Sequence, residues 1–210
     1  MMATTPADQA AEPKVHPWTR DEYYKMGESG LFDNMRVELV EGRVIEMRPI
    51  NSQHATAVTL ADDAIRKVFG AGWTVRVQSP LALAETSAPQ PDLAVVAGNA
   101  RDYKTAHPAT AALVIEVADT SLAYDRGEKG SLYARAGIAD YWIINLQDSQ
   151  VEVYRHPMPM AYRTRTTSST SDASPVYGYG YTDVIMLTAG NTITPLAGPG
   201  ASIDVADLLP

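Results

Sequence analysis

Four charged residues stand in stretches of the chain where a sheet protein usually carries apolar side chains. Asp92 begins the apolar run "DLAVV", Glu116 interrupts "LVIEV", and Glu38 interrupts "RVELV". Lys129 follows Glu116 in the chain, on a stretch that is predicted to be helical. Charged side chains are rarely buried unless they are paired or bind a metal ion. These four residues are therefore the first candidates for a functional site.

A set of this kind suits metal-assisted hydrolysis of a phosphodiester. Carboxylates on neighbouring strands, as predicted for Asp92 and Glu116, supply the hard oxygen ligands that Mg²⁺ prefers, and the ion polarises the phosphate. A lysine near them, here Lys129, can stabilise the anionic transition state or orient the attacking water.

Each candidate also has a purely structural interpretation. Asp92 follows "PQP" and can bond the backbone amides of a turn. Glu116 can pair with an arginine at a sheet edge, and Glu38 can face solvent on a hairpin. Lys129 stands four residues after Asp125. An exposed ion pair at that spacing stabilises a helix by only about 0.3 to 0.5 kcal/mol.

A histidine and three aromatic residues favour structural roles. His54 is interpreted as a polar helix-end residue, because no second histidine lies at ligand spacing. Tyr133, Tyr141 and Trp142 are interpreted as core or interface aromatics.

Hydrophobic periodicity predicts the elements that position these residues. Thr19 and Glu22 have the spacing of a capping box, which predicts the start of a short helix. The alternation in "RVELVEGRVIEM" predicts a β-hairpin. Apolar residues in "SQHATAVTLADDAIRKVFG" recur at helical spacing, with Ser52 as the predicted cap and Gly70 as the predicted end.

Four short apolar runs then predict the body of a sheet: "WTVRVQ", "LALA", "DLAVV" and "LVIEV". The stretch "SLAYDRGEKGSLYARAG" predicts a helix that ends at Gly137. Gly127 and Gly130 each cost this helix about 1 kcal/mol relative to alanine, so we expect packing to hold it. A second hairpin is predicted from "DYWIIN" and "VEVYR".

The chain is predicted to form one domain. A loosely ordered arm, residues 1–17, precedes a single domain of residues 18–210. Residues 156–182 are rich in Pro, Ser, Thr, Tyr and Gly, which predicts a low-complexity surface insertion. The tail is expected to rejoin the domain through Ile203, Val205 and Leu208.

Composition limits the classes of partner. The formal net charge of −8 provides no overall positive field for a polyanion, so nucleic-acid binding requires a local basic patch. The absence of cysteine excludes disulfides and thiolate chemistry. The sequence shows neither a basic leader nor a run of about 18 apolar residues, so we expect a cytoplasmic protein without membrane contact. The candidates for a basic patch are Arg36, Arg43, Arg48, Arg126 and Lys129.

Several long motifs, taken in order, carry a family resemblance. They are "RVELVEGRVIEM", "PQPDLAVV", "LVIEVADTS" and "YDRGEKGSLYARAGIADYWIINLQDSQVEVYR". They resemble the Uma-two family, a branch of the PD-(D/E)xK nuclease superfamily whose members are described as restriction endonucleases. The resemblance runs from Trp18 to Arg155, and the tail "TPLAGPGASIDVADLL" matches the family's closing segment.

The resemblance implies a fold and a ligand set. The fold is α/β (α+β), a restriction-endonuclease-like mixed β-sheet flanked by helices. The implied metal ligands are Asp92 and Glu116, with a contribution from the Val117 backbone carbonyl. Glu38 matches an acidic position that often completes the metal shell from an upstream element.

The resemblance also assigns a catalytic lysine. In the superfamily pattern a lysine stands two residues after the glutamate, where this chain has Ala118. That role therefore falls on Lys129, on the following helix. His54 and Gln53 match a polar pair of the family and receive only peripheral roles.

These assignments predict a metal-dependent endonuclease that hydrolyses DNA phosphodiester bonds with Mg²⁺ or Mn²⁺. The predicted catalytic residues are Asp92, Glu116 and Lys129. The alternative is a catalytically inactive nuclease fold that serves as a binding or assembly protein. The apolar run "ADYWIINL" further predicts a homo-oligomer.

Overall fold

The computed structural model describes residues 14–160, 176–198 and 200–210. The helices are α1 (Arg20–Glu28), α2 (Ser52–Phe69), α3 (Leu122–Tyr124) and α4 (Gly130–Arg135). The strands are β1 (Val37–Val40), β2 (Arg43–Glu46), β3 (Trp73–Val77), β4 (Leu93–Ala97), β5 (Leu113–Ala118), β6 (Asp140–Asn145), β7 (Gln150–Pro159), β8 (Tyr179–Thr188), β9 (Thr192–Ile193) and β10 (Ile203–Asp204). A π-helical turn, Asp125–Lys129, joins α3 to α4, and two 3₁₀ turns cover Ala100–Tyr103 and Val205–Leu208.

A mixed six-stranded sheet forms the centre of the fold. Its strand order is β3-β4-β5-β6-β7-β8, and all neighbours are antiparallel except β5 and β6, which are parallel. The parallel pair requires a crossover, and the helical segment from α3 to α4 supplies it. This confirms the predicted mixed sheet flanked by helices.

Helices cover both faces of the sheet. On one face, Ala61 and Ile65 of α2 share a buried cluster with Ile115 of β5. On the other face, Tyr133 of α4 shares a cluster with Val114 of β5. Because side chains alternate between the two faces of a strand, Glu116 of β5 lies on the same face as Val114, toward α4.

One predicted strand is wrong. Residues 81–84, "LALA", form no strand, and only Ala84 makes an isolated bridge, to Ser87. The amide of Leu81 donates to the Pro89 carbonyl and that of Ala82 donates to Pro108. The side chain of Leu81 is fully buried. The apolar run therefore reflects burial of a loop whose backbone bonds to other loops.

The N-terminal hairpin forms a small sheet of its own. β1 and β2 pair antiparallel, and the capping box of Thr19 and Glu22 begins α1, as predicted. Tyr23 of α1 packs on β1, and its hydroxyl donates to the Val37 carbonyl over 2.8 Å. All four residues of β1 are buried, including Glu38 at 1% exposure. The interpretation of Glu38 as the solvent side of a hairpin is therefore wrong.

Helix α2 begins one residue earlier than predicted, because its cap is the residue before the predicted one. Asn51, not Ser52, is the cap, and its side chain accepts from the amide of His54 over 2.9 Å. Gly70 ends the helix as predicted, with a positive φ of 62°.

The predicted arm and insertion lie partly outside the described residues, which exclude 1–13 and 161–175. The described flanks of the insertion belong to the sheet, because Pro157 of β7 pairs with Tyr181 of β8. The tail rejoins the domain as predicted, with Ile203, Val205 and Leu208 all buried. Among the described helices, none has the length and apolar character to cross a bilayer.

The aromatic run of β6 lies inside the protein. Tyr133, Tyr141 and Trp142 are fully buried, which confirms their core interpretation. All residues of β6 are buried between β5 and β7. Of the run "ADYWIINL" only Ala139 is exposed, so the run does not support the predicted homo-oligomer, which stays a prediction.

The hairpin turn at Gly42 is expected to be sensitive to a single added methyl group. Gly42 has φ +71°, and a Cβ there would lie 2.5 Å from Pro17 Cβ. The Trp18 amide also donates to the Gly42 carbonyl over 2.9 Å, so the chain cannot easily move away. We expect Gly42→Ala to lower the free energy of unfolding by about 2 to 3 kcal/mol, measured by urea denaturation.

Gly137→Ala is the matched control for this prediction. Gly137 has a similar φ of +74°, and nothing lies within 4 Å of its virtual Cβ. Its substitution carries the backbone strain alone, about 1 to 2 kcal/mol. Equal losses for the two variants would show that the contact with Pro17 has no energetic effect.

Candidate active site

The two predicted carboxylates meet at the ends of adjacent strands. Leu93 of β4 pairs with Ile115 of β5, and this register places Asp92 beside Glu116. The Asp92 amide donates to Glu116 Oε2 over 3.3 Å. The Val117 amide donates to Asp92 Oδ2 over 2.9 Å. This reciprocal pair of bonds fixes both carboxylates, so Asp92 is not a cap of its own turn.

Lys129 joins the same cluster from the π-helical turn. Its ammonium lies 2.7 Å from Glu38 Oε2 and 3.1 Å from Glu116 Oε1. The residue is only 2% exposed, which excludes the interpretation as a surface ion pair with Asp125. Asp125 instead accepts from the Ser121 hydroxyl over 2.6 Å.

Among the residues that the structure describes, Glu116 has no arginine partner, contrary to its structural interpretation. Besides Lys129, its carboxylate accepts from the Tyr133 hydroxyl over 2.6 Å. Glu38 accepts from the Gln90 amide over 2.9 Å, which anchors it between β1 and the segment before β4. The structure thus brings Asp92, Glu116, Lys129 and Glu38 together from four separate elements.

His54 lies closer to this cluster than the sequence analysis expected. Its Nε2 is 3.2 Å from Asp92 Oδ2, while Gln53 is exposed. The signal for its position was present in the sequence. His54 precedes Ala57, Val58 and Ala61, the buried residues of α2, by three, four and seven positions, so it lies on the apolar face of the helix.

Electrostatic coupling perturbs both carboxylates. Burial alone would raise the pKa of Asp92, but the hydrogen bond and charge of His54 and the Val117 amide outweigh burial and lower it. Burial raises the pKa of Glu116 to about 7 despite the charge of Lys129. Asp92 and Glu38 repel the ionised form of Glu116 and contribute to this increase.

The pKa values of the two basic groups, Lys129 and His54, are both raised, although burial alone would lower them. Burial alone would lower the pKa of Lys129, but the charges of Glu116 and Glu38 hold it well above its ordinary value. The pKa of His54 is likewise raised, because the hydrogen bond and charge of Asp92 outweigh burial. Lys129 is therefore a fixed positive charge at neutral pH.

The donor set fits a hard divalent cation. Four buried carboxylates face one buried lysine and one half-buried histidine, an excess of negative charge. The pKa of Asp125 is raised by burial and by Glu116, which follows from that excess. The described residues contain no ready-made group of three or more protein ligands. Mg²⁺ commonly uses one or two carboxylates and keeps several waters, so such a group is not required.

The carboxylates open into a cavity of about 300 Å³. Arg36 and Arg48 line it, as predicted for a basic patch. The other patch residues do not contribute free charge, because Arg43 pairs with Glu128 and Arg126 pairs with Glu152. Lys129 is buried in the cluster. The predicted basic patch is therefore reduced to two arginines at the cavity.

The fold and the site together define the class of protein. A mixed sheet flanked by helices, with two carboxylates at adjacent strand ends and a lysine from the following helix, defines a restriction-endonuclease-like, nuclease-type protein. The chain belongs to the Uma2 family, described as "Putative restriction endonuclease", whose model matches residues 20–185.

A solved structure has the same fold. It is described as "a putative nuclease belonging to DUF820", from Anabaena variabilis ATCC 29413. The match has a TM-score of 0.62 with 14% sequence identity, and it covers 91% of this chain and 97% of the other. No curated protein sequence matches the chain.

Proposed function

We propose that the protein is a metal-dependent endonuclease that hydrolyses phosphodiester bonds of DNA, with Mg²⁺ or Mn²⁺ as the cofactor. One observation carries the proposal. Asp92, Glu116 and Lys129 come from three elements and meet within hydrogen-bonding distance at one cavity. Membership of a family described as restriction endonucleases supports the same reaction class.

The carboxylates of Asp92 and Glu116 would hold the ion, together with the Val117 carbonyl. Once bound, the ion would polarise the phosphate and favour ionisation of water. Lys129 places a fixed positive charge beside Glu116, where it stabilises the developing negative charge of the transition state. Glu38 keeps the lysine in position, and His54 holds Asp92.

A second candidate is a nuclease fold that binds or assembles without cleavage. Two features favour it: the net charge of −8, and the engagement of Lys129 with two carboxylates. The cytoplasmic location and the homo-oligomer predicted from the sequence remain predictions in either case.

The experiment that tests the proposal is nicking of supercoiled plasmid by the purified protein. We expect relaxed and linear products with Mg²⁺ or Mn²⁺, and none with EDTA. Glu116→Gln, purified in the same way, measures contaminating nucleases, because glutamine keeps the shape of the residue and removes its charge. Folded wild-type protein that nicks no more than Glu116→Gln under any metal condition would favour the non-catalytic candidate.

A further inference from the structure

A second group of charged residues lies outside the cavity, between α1, β3 and the loop that precedes β5. We name it the cationic cluster: Arg20, Arg76 and His107, with Tyr24 and Tyr103. Arg76 Nη2 lies 3.1 Å from His107 Nδ1, and its guanidinium lies 5.7 Å from the Tyr103 ring centre. The Tyr24 and His107 rings are 6.0 Å apart. None of the five residues lines the cavity of the candidate active site.

The arginines of the cationic cluster have no carboxylate partner within the described part of the chain. Neither Arg20 nor Arg76 takes part in any ion pair there. Five other arginines do pair with carboxylates, namely Arg43, Arg66, Arg126, Arg135 and Arg155. Arg20 and Arg76 both lie near enough to His107 to lower its pKa, so they form a local concentration of unneutralised positive charge in a chain with a net charge of −8.

The cluster also holds polar groups that lack hydrogen-bond partners. Arg20 Nε, Arg76 Nε and the Tyr24 hydroxyl are shielded from solvent and form no hydrogen bond with any residue that the structure describes. A buried donor left without a partner destabilises the fold, because it loses its hydrogen bonds to water without replacement. Burial and the charges of Arg76 and Arg20 lower the pKa of His107, as expected for an imidazole among cations. A bound anion would offer hydrogen-bond acceptors to the donors of this cluster.

The chemistry of the donors favours phosphate. Guanidinium groups match phosphate oxygens in bidentate geometry, and two of them carry the charge that a phosphate presents. From these contacts, we infer that the cationic cluster binds a phosphate group.

The position of the cluster indicates where that phosphate comes from. Arg76 pairs with Ala94 on β4, two residues along the strand from Asp92. Strand geometry separates the backbones of Arg76 and Asp92 by roughly 8 Å. One DNA strand carries a phosphate per about 3.4 Å of helix axis. A strand bound at the cavity therefore has further phosphates within roughly 8 Å of the phosphate held there. The assignment to the DNA backbone rests on the proposed function, whereas phosphate binding itself does not.

The test is calorimetric titration of inorganic phosphate into wild type and Arg76→Gln at constant ionic strength. We expect phosphate to bind to wild type and its affinity to fall at least tenfold in Arg76→Gln. Arg20→Gln is expected to show the same loss and serves if Arg76→Gln does not fold. Arg101→Gln, which removes an exposed arginine on the neighbouring 3₁₀ turn, is expected to bind like wild type.

A second arm identifies the source of the phosphate. Binding of a short DNA duplex is measured in EDTA, so that no metal-dependent cleavage takes place. If the phosphate belongs to the DNA backbone, Arg76→Gln weakens binding and reduces the salt slope by about 0.9. Loss of phosphate binding with unchanged DNA binding would support the site and assign it to free phosphate or a nucleotide. Unchanged binding of both ligands in folded Arg76→Gln would overturn the inference. A protein that binds phosphate here but nicks no plasmid would separate this site from the proposed function.

Discussion

Asp92→Asn is expected to abolish metal-dependent nicking while the protein stays folded. Asparagine keeps the size of the side chain and an oxygen that can accept from the Val117 amide. It removes the negative charge that the ion would require. A bound metal contributes several kcal/mol to transition-state stabilisation, and each 1.36 kcal/mol corresponds to a factor of ten. The nicking rate should therefore fall by at least about 10³-fold.

Asp207→Asn provides the matched control. It makes the same change of charge at an exposed residue of the C-terminal 3₁₀ turn, outside the cavity. Its nicking rate should equal that of wild type. Circular dichroism and thermal unfolding check that both variants are folded. If folded Asp92→Asn nicked at the wild-type rate, the assignment of Asp92 as a metal ligand would be wrong.

Lys129→Met is expected to be the most destabilising substitution at the site. The ammonium is 2.7 Å from Glu38 and 3.1 Å from Glu116, and the lysine is 2% exposed. Methionine fills much of the space but leaves two buried carboxylates without their counter-ion. Removal of one partner from a buried ion pair costs about 3 to 5 kcal/mol. Urea denaturation should show a loss of that size, together with loss of nicking.

Lys67→Met tests whether the loss is specific to the buried position. Lys67 is exposed on α2 and takes part in no ion pair within the described residues. Its substitution should change the free energy of unfolding by no more than about 0.5 kcal/mol. Similar stabilities for Lys67→Met and Lys129→Met would contradict the account of Lys129 as the counter-ion of the site.

Local sequence patterns predicted most of the elements correctly. The capping box at Thr19 predicted the start of α1, and the alternation of apolar and polar residues predicted the β1–β2 hairpin. Both predictions succeeded because each signal depends on only a few neighbouring residues. The cap of α2 was placed one residue late, because Asn51 and Ser52 are both good capping residues and local preference does not distinguish them. Apolar character alone did not distinguish a strand from the buried loop around Leu81.

The β7–β8 hairpin was missed for a different reason. Pro157 and Pro159 in β7 argue against a strand, since proline cannot donate to a sheet. However, pairing of β7 with β6 ends at Arg155, so beyond that residue β8 is the only neighbour of β7 among the described strands. The prolines therefore occupy an edge, where a missing donor is tolerated. The local sequence gives no information about this long-range pairing of β7 with β8.

The sequence singled out residues that the structure brings together at the cavity, but it did not predict all of their contacts. The sequence identified Asp92, Glu116, Lys129 and Glu38, since charges within apolar runs are visible locally. It did not predict that Lys129 would be buried between two carboxylates, because the π-helical turn is set by tertiary packing. The contact of His54 with Asp92 was not predicted, because it joins α2 to the residue that precedes β4.

Calorimetric titration of Mn²⁺ into wild type and Asp92→Asn, with plasmid nicking on the same samples, decides whether Asp92 and Glu116 form a catalytic metal site. We expect wild type to bind the ion and nick DNA, and the variant to do neither. Wild-type protein that binds neither Mn²⁺ nor Mg²⁺ would rule out a metal site at these carboxylates. The paired carboxylates would then serve the structure of the sheet and not a metal-dependent reaction.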